Sequence, residues 1–375
     1  MDQHLKEALP DFENKASAFT VTDGASSTAT ITYDQAAAPG DSEQAHITAT
    51  SLSGNRTSCS EIGRAIDLLN NTASAVAKIH HDARRKQPLT LQFAKQAIDE
   101  LIQNFADDPN TLFWALTANH RMHHLNRRSV GCAVWALALG HHLEFNQAAL
   151  HELMLGALLL DIGKINVPIV IQTKAGKLNK AEQNFVRRHV ADGIRMLESA
   201  VELSAEAIEM VRAHHERIDG SGYPFGLKGE EISLYAQIAG IIDSFDALSL
   251  HRYYADGLSG DAALNMLREQ RGKKFAANLV DHFINAIGEL PTGTWVQLPD
   301  GSTGVVCAQN PTDPGEAQVA LIANAEQQPI LAIHWLSLHE HGKARVLPPT
   351  ERPPHAAAME RSLQAAIYAQ RPRKY

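Results

Sequence analysis

The chain has 375 residues, 44% of them hydrophobic and 20% charged, with a formal net charge of -8. This is the composition of a globular protein with room for two or three domains. The negative balance argues against nucleic acid or an anionic membrane surface as the main partner. Three scattered cysteines (Cys59, Cys132, Cys307) show no paired spacing, so neither a disulfide framework nor a cysteine zinc site is expected. The N-terminus is polar, and no apolar run approaches the ~20 residues that span a bilayer. A cytoplasmic location without membrane contact is expected.

Residues 1–60 are rich in Ser, Thr, Ala and Asp and weakly periodic, a poorly specified N-terminal region with candidate strands at Val21-Thr22 and Thr28–Tyr33. Helical periodicity runs from Glu61 to about Ile287, which makes the fold mainly α. Ile62, Ile66, Leu69 and Ala73 share one face of a first helix, and Phe93, Ile98, Leu101 and Ile102 mark a second. Val130–His142 and Ala148–Leu160 follow, the latter apolar on several faces. Asn179 with Glu182 has the spacing of a capping box and opens a helix expected to carry His189. Ser204 caps another, which delivers His214 and His215 at its end. Tyr235–Leu250 places Asp243 and Asp246 on one face, and helices at about 260–271 and 276–288 complete the set. From Thr292 the period changes to short strands with Asp300-Gly301 and Asn310-Pro311 turns. The expected organisation is an N-terminal region (1–60), a helical domain (61–291), a small β module (292–340) and a tail (341–375) with a short helix at 356–369.

Asp161, His189, His214, His215 and Asp243 lie near helix ends or on helix faces between apolar runs. A single buried ionisable residue is ordinarily a satisfied core or cap group. Five of ligand type, beside the glycine-rich stretch Asp219-Gly220-Ser221-Gly222-Tyr223-Pro224, also suit a first-row metal, and spacing alone leaves both readings standing.

The order of these segments resembles the HD-GYP family, a subgroup of the HD phosphohydrolases that hydrolyses cyclic dinucleotides, chiefly cyclic di-GMP, in bacterial signal transduction. The resemblance covers about residues 110–300. It is carried by Asp161–Pro168, by Lys174 with Leu178 and Glu182, and by His189 with Gly193. His214-His215-Glu216 with the Gly222-Tyr223-Pro224 loop, and Ile242–Leu248 with Arg252 and Tyr254, complete it. It implies an HD-domain helical bundle in which two cations act on a phosphodiester. Asp161 matches the bridging aspartate, Asp243 a later ligand, and His189, His214 and His215 the ligands of the second metal. Lys164 matches a lysine that contacts phosphate. Gly222, Tyr223, Pro224, Asp246 and Arg252 match the nucleotide-facing surface.

Two positions depart from the pattern. Leu160 stands where the family has the histidine of its HD pair, and Arg128 falls where an earlier histidine is expected. A guanidinium cannot ligate a cation, so the resemblance implies one divalent metal site, iron or manganese, rather than two. Ordinary usage would leave Arg128 in solvent. The alternative is that it fills the space of the missing cation and pairs with Asp161 and Asp243. His124, near Arg128, is either a substitute ligand or a solvent-facing residue; His120, His141 and His142 have no place in the motif order and are expected at the surface.

Three functions follow from the resemblance. The first is a degenerate HD-GYP protein, weak or inactive as a phosphodiesterase, that binds cyclic di-GMP or a related dinucleotide, or a signalling protein. The second is an active metal-dependent phosphodiesterase. The third is a ligand-free interaction module. A homodimer is compatible with all three, and whether catalysis survives stays open at this point.

Overall fold

A computed structural model of the chain describes residues 17–22, 28–33, 57–118, 122, 124–174, 176–198, 200, 202–249, 259–310, 313–338, 344–348 and 351–352. Near the N-terminus, β1 (Ser17–Thr22) and β2 (Thr28–Tyr33) pair as an antiparallel hairpin with Ser17 opposite Tyr33. The remaining sequence expectations at 1–56, the candidate helix at 356–369, and His120, Arg252 and Tyr254 lie outside the described residues.

The helical body begins at Thr57, somewhat before the expected start at Glu61. Its first part comprises α1 (Thr57–Arg84), α2 (Gln92–Asp107), α3 (Pro109–Ala118), α4 (His124–His142) and α5 (Gln147–Leu159). A 3-10 turn at Ile162–Asn166 leads to α6 (Ile169–Gln172), α7 (Lys180–Arg187), α8 (His189–Leu197) and α9 (Ala205–Ala213). Beyond the glycine-rich loop come α10 (Leu234–Ser249), α11 (Gly260–Gln270) and α12 (Ala277–Ile287). Among the described residues, no helix is long and apolar enough to cross a membrane.

Helices α4 and α5 form the centre of the bundle, and their sequence explains why. Val130, Ala133, Val134 and Leu137 of α4 and Leu153, Met154, Leu155 and Leu158 of α5 are all buried. A helix apolar on several faces has no solvent side and must be covered all round. Around this centre the surface helices bury single stripes. On α2 the stripe is Ala94, Ala97, Ile98, Leu101 and Phe105. Phe93 is not part of it: it is 56% exposed, because five residues separate it from Ile98, about 140° around the helix.

One expected helix is two. Asn179 accepts from the Glu182 amide at 2.9 Å while Glu182 accepts from the Asn179 amide at 2.8 Å, so the capping box forms. It opens only α7, however, which ends at Arg187. The Val186 carbonyl at that end accepts from the His189 imidazole at 2.7 Å, and His189 is the first residue of α8.

The C-terminal module is an antiparallel sheet ordered β6-β5-β4-β3-β7, from β3 (Trp295–Gln297), β4 (Thr303–Asn310), β5 (Asp313–Ala323), β6 (Pro329–Ser337) and β7 (Arg345–Val346). Gly301, at φ 92°, supplies the left-handed residue of the Asp300-Gly301 turn. The module is fastened to α3: Trp114 Nε1 donates to the Cys307 carbonyl at 2.7 Å, and the Gln309 amide donates to Asn110 Oδ1 at 2.9 Å. Both bonds are buried, so the sheet is part of the same packed body.

Candidate functional site

Four chain segments converge at one end of the bundle. The α5 C-terminus delivers Asp161, α8 begins with His189, α9 ends at His214 followed by His215, and α10 carries Asp243. Gly163 makes the first meeting close. A Cβ there would lie 1.9 Å from the His189 carbonyl and 2.7 Å from the Gly193 amide, so only glycine lets the 3-10 turn sit against α8. That contact sets the His189 Nε2 3.4 Å from Asp161 Oδ1.

The imidazoles are oriented from behind. His189 Nδ1 donates to Val186 O at 2.7 Å and His214 Nδ1 to Val211 O at 3.0 Å. With the Nδ1–H committed to a carbonyl, each ring turns a bare Nε2 into the site, the arrangement that fixes a metal-ligating tautomer. These two Nε2 atoms are 3.4 Å apart, and His214 Nε2 is 3.9 Å from Asp161 Oδ1. One ligand atom each from Asp161, His189, His214 and His215 lies within 4.8 Å of the other three. Burial holds all three imidazoles below the ordinary histidine value, His189 at about 4, so they are neutral lone-pair donors at neutral pH.

Asp161 has two unlike oxygens. Oδ2 accepts from Arg128 Nε at 2.7 Å and from Lys164 Nζ at 2.6 Å. Oδ1 is buried and has no hydrogen-bond partner, although it faces the imidazoles. A buried carboxylate oxygen without a donor is costly, and a cation shared with three neutral nitrogens is the group that relieves it. The residues therefore fit a metal ion.

Arg128 occupies the other side. It is 7% exposed, and its Nη2 donates to Asp243 Oδ1 while its Nε donates to Asp161. Burial alone would raise the Asp161 carboxyl, yet Lys164 and Arg128 hold it well below the usual carboxylate range. Asp243 is likewise lowered against its burial, chiefly by Arg128. Asp243 stays outside the four-residue cluster; its nearest imidazole contact is His215 Nδ1 at 4.0 Å. Leu160 caps α5 and is buried in the core. His124 opens α4, and its side chain lies outside the described residues.

Asp246 is 1% exposed, and its carboxylate faces α4 rather than the imidazoles. Trp135 Nε1 donates to its Oδ1 at 3.2 Å, and Arg127 Nη1 is 3.7 Å away. Gly131 makes the approach feasible, since a Cβ there would lie 2.1 Å from Asp246 Oδ1. Burial raises the Asp246 carboxyl, with Arg127 opposing.

The glycine-rich loop is built around Glu216, which sequence reasoning quoted without giving it a role. Its buried carboxylate accepts from the amides of Phe225, Gly226 and Leu227 at 2.7, 3.2 and 3.0 Å. Gly222 lies so close to the start of the loop that a Cβ would meet Glu216 Cα at 2.4 Å. Arg217 clamps the same turn by donating to the carbonyls of His214 and Glu216 at 3.0 and 2.7 Å. The loop then folds Tyr223 onto the site. Its ring stacks on His215 at 4.5 Å and 24°, and the Arg187 guanidinium lies over it, 4.7 Å from the ring centroid. Pro224 follows Tyr223 through a cis peptide. Acceptors and stacking partners of this kind are non-local, and only the glycine spacing announced them.

Residues 114–279 match the family model described as HD domain. A cyclic di-GMP phosphodiesterase of Pseudomonas aeruginosa is 35% identical over 250 residues, 67% of this chain and 60% of that protein. The cyclic di-GMP phosphodiesterase response regulator RpfG of Xanthomonas campestris is 37% identical over 154 residues, 40% of each chain. A 3'3'-cGAMP-specific phosphodiesterase of Vibrio cholerae is 36% identical over 170 residues, 45% of this chain and 36% of that one. The chain thus spans less than two thirds of the length of these relatives. In fold, it superposes on an HDG"Y"P protein from Bdellovibrio bacteriovorus with a TM-score of 0.52 and 16% identity, over 61% of this chain and 73% of that one. The bundle and the family match together define an HD domain over residues 114–279. Within that class the chain is similar to cyclic dinucleotide phosphodiesterases of the HD-GYP type.

Proposed function

We propose that this protein is a cyclic dinucleotide-binding HD-GYP domain in which Arg128 replaces one of the two cations, leaving it weak or inactive as a phosphodiesterase. The observation that carries this reading is the buried guanidinium donating to both Asp161 and Asp243. Asp161, His189, His214 and His215 would hold a single divalent cation, iron or manganese, which would supply Lewis-acid polarisation of a phosphoryl oxygen. Asp243, spent on Arg128, is a poor ligand for a second. Hydrolysis by paired metals relies on a clamp over both the attacking and the leaving oxygen. A guanidinium can attract the charge but cannot take up or give away a proton at neutral pH.

Binding is a different matter. Two carboxylates are balanced by Arg128 and Lys164, so the pocket is neutral without metal and positive with it, which suits a ligand bearing two phosphodiesters. Tyr223 offers an aromatic edge at the mouth, and Lys164 a point charge beside Asp161. Asp246, being buried against Trp135, serves packing between α10 and α4 in this reading rather than touching nucleotide. The bound state would be read in the cytoplasm by a signalling partner.

A second reading, an active phosphodiesterase on the remaining site, is favoured by the free Asp161 Oδ1 and the retained Lys164. Titration and hydrolysis of cyclic di-GMP with manganese or iron(II) separate the two. The proposal expects saturable binding that Lys164→Ala weakens, and turnover at or barely above that of Asp161→Ala. Turnover that Asp161→Ala abolishes would establish the second reading. Absence of binding to any cyclic dinucleotide would remove both and leave an interaction module.

A further inference from the structure

A second pair of histidines stands away from the site. His142 closes α4, and His282 lies on the neighbouring helix α12. His142 Nε2 is 3.3 Å from His282 Nδ1, with ring centroids 5.4 Å apart and planes inclined at 56°. The relation between His189 and His214 inside the candidate metal cluster is almost the same: 3.4 Å between nitrogens, 5.5 Å between centroids and 58° between planes. The spacing has a chemical meaning. Two nitrogens each about 2.0–2.1 Å from a tetrahedral cation sit about 3.3–3.4 Å apart.

The other groups nearby are already engaged. Asp281, beside His282 in sequence, accepts from Arg271 Nε at 2.6 Å. The His141 ring meets Phe105 edge-on, with centroids 5.4 Å apart. Both His142 and His282 are half-buried, so a cation can reach them from solvent.

We propose that His142 and His282 form a second metal site, a two-imidazole chelate for a borderline first-row cation such as zinc, nickel or copper, with water completing its coordination. Imidazole is the ligand such cations favour. With two protein ligands rather than four, the site exchanges its cation freely and responds to the free metal concentration. Its place in the fold gives the cation a lever. It would fasten the C-terminal end of α4, the helix that carries Arg127 and Arg128, to α12, the helix that leads into the β module.

The test is equilibrium dialysis of the full, chelator-treated chain against zinc. The wild type is expected to take up one zinc per chain more than His282→Gln or His142→Gln, and the double variant no less than either. Asp161→Ala should keep this increment, since the two sites are separate. Equal uptake and affinity in wild type and both glutamine variants would overturn the proposal. A spectroscopic arm covers the case in which a variant folds poorly. Zinc titrated into the wild-type chain should shift the imidazole resonances of His142 and His282 together, and resonances that stay put at saturating zinc would equally overturn it.

Discussion

Arg128 donates to the same oxygen of Asp161 that receives Lys164, leaving the other oxygen of that carboxylate turned toward three neutral imidazoles. One residue thus faces a guanidinium on one side and a cluster of three imidazoles on the other. The division between them follows from chemistry: a guanidinium cannot be a ligand, and a carboxylate with two committed donors on Oδ2 has only Oδ1 left to give.

Removing Arg128 should unbalance a buried centre. Arg128→Ala leaves Asp161 and Asp243 without their shared cation, a change that costs about 3–5 kcal/mol when a buried pair is broken. Denaturant unfolding of the chelated protein should show a lower midpoint with little change in slope. Added manganese should recover part of the loss, because a cation can then take the guanidinium's place.

Restoring the ligands should restore the metal. In Arg128→His/Leu160→His both positions gain imidazoles, and Asp243 is released from its guanidinium. Elemental analysis should find one more metal per chain than in wild type. Cyclic di-GMP hydrolysis should rise by about 100-fold or more, in keeping with the value of lost charge stabilisation in catalysis.

The glycine-rich loop should depend on Glu216. Glu216→Ala strands three amides that now share one carboxylate. Hydrogen bonds to charged groups are each worth about 1.5–3 kcal/mol, and water recovers some of that at a half-buried loop. A stability loss of about 2–3 kcal/mol is expected, with nucleotide affinity falling further than stability alone explains. Calorimetric unfolding and nucleotide titration report the two effects separately.

Gly222→Ala tests the same loop from its backbone. The added methyl would lie 2.4 Å from Glu216 Cα and 2.5 Å from the Arg217 amide, both backbone atoms that cannot swing aside. Overpacking of this kind costs about 1–3 kcal/mol. The shift should also unstack Tyr223 from His215, visible as altered tyrosine fluorescence.

Acid should destabilise the metal-free protein early. Burial lowers His189 from 6.5 to about 4. The unfolded chain therefore binds a proton that the folded chain refuses between those values, and stability present above pH 6.5 is lost as pH falls toward 4. At 1.36 kcal/mol per pKa unit the loss is on the order of 3 kcal/mol. Thermal unfolding at pH 7.5, 6.5, 5.5 and 4.5 after chelation should show it, and His189→Gln should flatten the slope.

Much of this architecture was legible in the sequence where the signal is local. Helices α9 to α12 fall within a residue or two of their expected bounds because Ser204, the apolar period and the flanking glycines mark them. The break between α7 and α8 was not legible, because no glycine or proline stands at Arg188 to mark it. Helix α3, which fastens the β module through Asn110 and Trp114, was missed. Strands β6 and β7 went unnoticed beside their stronger neighbours. Asp161, His189, His214 and His215, which the structure brings into one cluster, stand out by their order along the chain. Their neighbours Glu216, Arg127 and Arg187 acquire roles only through contacts distant in sequence. His142, expected simply at the surface, meets His282 across 140 positions, and no periodicity in either helix marks that meeting.

The most direct measurement of the central claim is metal content after exhaustive dialysis, compared between wild type and Asp161→Ala. If Arg128 stands in for one of two cations, the wild type holds one more divalent metal per chain than the variant. Two more would contradict it, because both would then be bound at Asp161 in spite of the guanidinium.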